Sequence, residues 1–189
     1  MKEIKIGSQV WAKENLKVTN FRNGEPIPVV QDQNNWSKMS TAAMCFTPEG
    51  EALYNWYAVN DSRGLAPEGW HVPSDTEWQQ LVDFLGGDML AGKAMKAKKF
   101  GGDNSSKFKA SLSGLRYYDG SFDNVGSYAY FWSSSPNGSN AWYRILSSGN
   151  DDVNRFSNLL RSGFSVRCVR SSLTLEQRVE ILERKLNDK

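Results

Sequence analysis

The segment 126-GSYAYFWSSSPNGSNAWYRILSSGNDDVNRFSNLLRSGFSVRCVR-170 begins and ends on strand-like apolar runs, Tyr128 to Trp132 and Phe164 to Val169. Between them Ser, Asn and Asp alternate with Trp142, Tyr143, Arg144, Arg155 and Phe156. Tyr and Trp give large contact area at low entropic cost, and Ser and Asn give adaptable hydrogen bonds, which is the chemistry of a recognition surface. The plainer alternative is a turn-rich β region whose polar residues face water.

Upstream lies the clearest helix signal, in PEGWHVPSDTEWQQLVDFLGG. Ser74 and Glu77 have capping-box spacing, and Trp78, Leu81, Val82 and Leu85 recur at helical intervals. Gly86-Gly87 supplies a left-handed stop. The apolar face of this helix is expected to pack on a sheet. Nearer the N-terminus, Ile4, Ile6, Val10 and Trp11 flank Gly7-Ser8 as a hairpin would. Asn20 to Ser40 reads as a long ordered loop, and Ala42 to Phe46 as a short strand before a Pro48-Glu49-Gly50 turn. Leu53 to Val59 suits a buried strand or one helical turn. Met89 to Lys99 is a weaker helix candidate whose lysines, Lys96 among them, read as a solvated face.

Beyond Arg170 the composition changes: 171–189 has no Gly, Pro or aromatic residue. Leu175, Val179, Leu182 and Leu186 form a coiled-coil seam, with Arg178 and Lys185 at g and Glu176 and Glu183 at e. The expectation is a domain over 1–171 and an oligomerising helix over 172–189, dimeric or trimeric. Two heptads are short for a free coiled coil, so a helix folded back on its own domain is the alternative.

The whole chain has 189 residues, 39% hydrophobic and 12% aromatic with seven Trp, which favours a β-rich or binding fold over a helical bundle. With 23 basic against 21 acidic residues it carries no electrostatic footprint for nucleic acid or an anionic membrane. No apolar run approaches the roughly 18 residues of a membrane span. MKEIKIGSQVW lacks the apolar core of a secretory signal. Cys45 and Cys168 admit one disulfide or two buried thiols.

Motifs for catalysis are scarce. His71 is the one histidine, set between Trp70 and Val72 where a buried strand is expected, and it reads as structural. There is no HExxH, P-loop or dinucleotide fingerprint. Asp151-Asp152 and Asp119 with Asp123 are the acidic groupings in loops; Ca²⁺ there lacks EF-hand spacing and is unsupported. No metal site, cofactor or enzyme activity is expected.

Several segments together carry a resemblance: IGSQVWAKENL, ALYNWYAVN, PEGWHVPSDTEWQQLVDFLGG, SLSGLRYYDGSFDNVGSYAYFWSSS, NAWYRIL and GFSVRCVR. From about Ile4 to Arg170 the chain resembles the Fibrobacter succinogenes major paralogous domain, a C-type-lectin-like domain of Bacteroidota and their phages. The resemblance implies an α+β fold in which Ile4 to Ile6 lie near Ser165 to Val169 and Trp132 to Ser162 form an exposed ligand face. It also implies kinship with receptor-binding proteins diversified in this same C-terminal part. Family members often carry a Cys where this chain has Ala66, which would pair with the position of Cys168; its absence fits folding in a reducing cytosol. A more distant likeness to formylglycine-generating enzymes finds no reactive cysteine pair here.

The functional expectation is a non-enzymatic binding module, a phage virion adhesin made in the cytoplasm without a signal peptide, or alternatively a bacterial cell-surface protein. The ligand is expected to be a host-surface glycan or protein, with other virion or envelope proteins as assembly partners. The aromatic and basic candidates for contact are Trp132, Trp142, Tyr143, Arg144 and Arg155. The amide and acidic candidates are Asn137, Asn140, Asn150, Asp151 and Asn154. A structural or decoration module using the domain for assembly contacts is the runner-up.

Overall fold

The computed structural model describes residues 1–171. In chain order the elements are β1 Glu3–Ile6, β2 Gln9–Ala12, α1 Gln33–Trp36, β3 Met44–Phe46, β4 Ala52–Tyr54, α2 Trp56–Val59, β5 Trp70–His71 and α3 Asp75–Phe84. They continue with α4 Ala91–Met95, β6 Ser113–Arg116, β7 Phe122–Val125, β8 Tyr128–Asn137, β9 Asn140–Ser147, β10 Val153–Leu159 and β11 Val169–Arg170. The fold is mixed α and β, mostly strand with few helices. One sheet has the order β1-β2-β11-β5, a second β10-β9-β8-β6-β7, and β3 pairs with β4. The expected oligomerising helix, with Leu175, Val179, Leu182 and Leu186, lies outside the described residues.

The ends of the domain pair, one strand further in than expected. Val169 stands opposite Trp11 of β2, while β1 pairs only with β2 and lies at the sheet edge. Turning at Gly7 (φ +60°) places Trp11 inside with no exposure and leaves Ile4 half-buried. The capping box forms as expected: Ser74 Oγ accepts from the Glu77 N–H, and Glu77 Oε2 accepts from the Ser74 N–H at 2.8 Å. Trp78, Leu81 and Val82 are buried, with Trp78 4.8 Å from the Trp11 ring and 5.5 Å from Phe131 of β8. The helix thus packs against both large sheets.

The Leu53 to Val59 stretch takes both of its alternatives, as β4 and then α2, with Asn55 capping α2 through its side chain. The lysine-rich segment departs from expectation. It shortens to α4 and a 3₁₀ turn at Lys98–Phe100, and Lys96 is 1% exposed.

Residues 162–169 form a buried seam with little regular strand. Gly163 exchanges backbone hydrogen bonds with Arg116 of β6, and Phe164 does so with Tyr54 of β4. The Ser165 N–H donates to Tyr130 O, Leu16 N–H donates to Val166 O and Ala12 N–H donates to Cys168 O. Each residue finds a different neighbour, so the run is apolar and extended without belonging to one ladder.

Gly114, inside β6, has φ +68°, and a Cβ there would lie 2.3 Å from Asp123 O. Gly114→Ala therefore adds left-handed strain of about 1–3 kcal/mol to a backbone clash. The melting temperature should fall by several degrees, at about 2–4 °C per kcal/mol for a domain of this size. An unchanged melting curve would contradict the close approach of β6 and β7.

Candidate functional site

The polar-aromatic stretch folds as an antiparallel meander, β8-β9-β10, and its register sorts the expected contact residues by face. Tyr143 stands opposite Trp132 and Phe156, and Ile145 opposite Asn154, so these share one face. Arg144 stands opposite Phe131 and Arg155, and Asn140 opposite Asn137, so these share the other face with Trp142. A β-bulge or irregularity lies between Trp132 and Pro136.

On the α3 side, Asp75 sits in the first helical turn, with its N–H donating to Ser135 Oγ at 2.9 Å. Its carboxylate takes the Arg155 guanidinium side-on: Nε lies 3.0 and 2.9 Å from the two oxygens, and Nη2 lies 2.8 Å from Oδ2. The same carboxylate lies 3.1 Å from Arg144 Nη1, and Arg144 Nη2 donates to Asp75 O and Gln79 Oε1. Burial lowers the pKa of Arg144, with Asp75 opposing. The Arg155 guanidinium carbon lies 3.4 Å from the Trp142 ring centroid. Arg155 remains exposed and Trp142 half-buried, beside Asn140 and the exposed Asn137 at the β8–β9 turn. The result is a platform of indole and guanidinium held by Asp75, with two turn amides beside it.

Three expected contact residues belong to the interior or lie under the platform. Trp132 has no exposure; its ring stacks on Phe164 at 4.2 Å, and its Nε1–H donates to Tyr54 O. Tyr143 is 8% exposed and packs on Phe164 at 4.8 Å. Arg144 is 1% exposed and serves Asp75 from below. Trp132 to Ser162 is therefore not one exposed face. The pleat sends alternate side chains into the two cores on either side of the sheet.

Asn154 is exposed on the face opposite the platform, on the same side as Phe156, which is 53% exposed. Phe156 continues a row of rings through Tyr143, Tyr130 and Tyr128, at centroid spacings of 6.3, 5.9 and 6.1 Å. Burial raises the pKa of the Tyr130 and Tyr143 phenols, so they stay protonated.

Asn150 and Asp151 lie in the β9–β10 turn, about 25 Å from Asn140 along β9 by strand rise. There the buried Lys96 ammonium donates to the carbonyls of Ser147 and Asn150, 3.6 Å from the Asp151 carboxylate. Asp151 O also accepts from Gly92 N–H at 2.9 Å. These contacts, chiefly through the backbone carbonyls of the turn, dock it on α4 and set both residues apart from the Trp142 platform.

His71 is half-exposed, not buried. Its Nε2 lies 2.8 Å from Glu77 Oε1 and its Nδ1 lies 3.0 Å from Ser171 Oγ. The Glu77 carboxyl is held below its usual range; burial raises it, but the bonds from His71 and Ser74 outweigh that. Because Glu77 is already committed to the helix cap, this serine-histidine-carboxylate row works as a clasp on the chain leaving β11. Cys45 and Cys168 are free and buried, and burial pushes their thiols up to about 11 and about 12. Among the described residues no three His, Cys, Asp or Glu side chains group as a metal would require.

The sequence reading missed Asp75 and Ser135. An acidic residue behind a capping serine is the ordinary complement of the helix dipole. Nothing local points to arginines 69 and 80 residues away.

Residues 4–170 match the family described as the Fibrobacter succinogenes major domain. No curated protein and no solved structure matches the chain.

Proposed function

We propose, for a chain that belongs to the Fibrobacter succinogenes major domain family, a non-enzymatic ligand-binding role on a C-type-lectin-like scaffold. The observation that carries it is the platform of Trp142 and Arg155, held in place by Asp75. A guanidinium fixed on two sides loses little freedom on binding, and an aromatic beside it offers a stacking face. The exposed Asn137 at the turn adds an amide donor and acceptor, with Asn140, whose side-chain oxygen is buried, beside it. This set suits a glycan or a polar protein surface. The reading places the protein on a phage virion as an adhesin made in the cytoplasm. Two buried free thiols accord with folding in a reducing compartment.

The test is binding to host cells and to a glycan array by wild type, Trp142→Ala and Arg155→Ala. Loss of a central anchor is expected to cost about 2 kcal/mol, roughly 30-fold in affinity, with far-UV circular dichroism unchanged. Undiminished binding by both variants would remove the platform from the site.

A second reading, assembly contacts on a virion or cell envelope, draws on a different surface. Phe84, Met89 and Leu90 are 63%, 71% and 59% exposed at the end of α3 and the loop after it. Under that reading, Met89→Glu would impair incorporation into particles and leave cell binding intact.

A further inference from the structure

A cavity of about 530 Å³ opens beside the seam, between the stretch from Ala12 to Val18, Lys109 and Arg167. No residue of β8, β9 or β10 lines it. Arg167, 1% exposed, forms its inner wall. Its Nη1 donates to Ala12 O, Lys13 O and Phe108 O, and its Nε and Nη2 both donate to Asn15 Oδ1, at 3.0 and 2.7 Å. These acceptors are all neutral. Among the described residues no carboxylate comes within ion-pair distance of Arg167, and burial lowers its pKa.

Two buried donors remain. Nη2 has two hydrogens and makes one hydrogen bond, to Asn15. Asn15 Nδ2 is buried with no partner among the described residues. Buried N–H groups rarely go unmet, so an acceptor is expected against this wall. Lys2, Lys13 and Lys109, all exposed, also line the cavity and make no ion pair among the described residues. Lys17 is committed to Glu51 at 2.9 Å, and Glu14 is the other acid in the lining. Five cations therefore face two carboxylates. Lys109 is held at φ +56° and Lys107 at +62°, on either side of Phe108, whose carbonyl reaches Arg167. Left-handed backbone at non-glycine residues is costly and clusters where a ligand is clamped.

We propose that this cavity binds an oxyanion, the carboxylate, phosphate or sulfate of a small ligand. A water could meet the two inner donors, but only an anion also offsets the excess of positive charge. The volume suits a ligand about the size of a sugar acid or phosphate ester.

Glucuronate, inorganic phosphate and sulfate would each be titrated into the full chain at constant ionic strength. The readouts are the NMR signals of the Asn15 side-chain amide and the melting temperature. At least one anion should shift both saturably. Preference for glucuronate would mark a sugar acid as the ligand, and preference for phosphate or sulfate an ester.

Arg167→Met threatens the fold, so the deciding variant is Asn15→Asp. It keeps an acceptor for Arg167 and supplies the missing charge, but replaces the unpartnered amide donor by a repelling oxygen. It should melt no lower than wild type and bind at least tenfold more weakly. Lys13→Gln with Lys109→Gln, both exposed, should weaken binding several-fold. Absence of saturable binding to all three anions, or equal binding by Asn15→Asp, would overturn the proposal. Because Trp142 and Arg155 lie outside this cavity, neither result bears on the platform.

Discussion

Trp132→Ala should cost about 4–5 kcal/mol, toward the upper end for truncating a fully buried aromatic. The ring fills an unexposed site against Phe164, and its removal takes away one of the two donors to the Tyr54 carbonyl, leaving the Phe164 N–H. For a domain whose whole stability is about 5–15 kcal/mol, that lowers the melting temperature by roughly 10–20 °C. Trp142→Ala, in the same meander, should shift it by only a few degrees, since its ring is half-buried and stacks on an exposed arginine. Thermal melts of the two variants side by side check this. Equal melting temperatures would mean that the face assignment of β8 and β9 is wrong.

Asp75→Asn should cost about 3–5 kcal/mol, the range for removing one partner of a buried ion pair. The substitution keeps shape and removes charge, leaving Arg144 buried without a carboxylate. Arg155 would also lose its anchor and leave the Trp142 ring. Urea denaturation of Asp75→Asn, Arg144→Met and the double variant tests the coupling. In the Asp75→Asn background, Arg144→Met should recover part of the loss, because the stranded charge is gone. Strictly additive losses would mean that the pair is not coupled.

The helix was legible from local signals. Ser74, Glu77 and the apolar spacing that follows fix its start and its buried face within a few residues. The family was legible because whole segments recur in order. Side-chain direction in the meander was not. The pleat sorts residues by parity and by an irregularity after Trp132, and a stretch rich in aromatics and amides gives no sign of which parity faces a core. Trp132 and Trp142 look alike in sequence and differ in fate. Lys96 misled for a related reason: a lysine among lysines reads as solvated, and the carbonyls that hold its ammonium, at Ser147 and Asn150, are supplied by a distant turn.

The seam at residues 162–169 also governs how the protein is born. Its hydrogen bonds reach back to partners as early as Ala12 and Leu16. A nascent chain cannot make these closures until the late segment has left the ribosome, and such long-range closure is slow. A product truncated near residue 160 is therefore a target for proteases and chaperones and no smaller version of the domain.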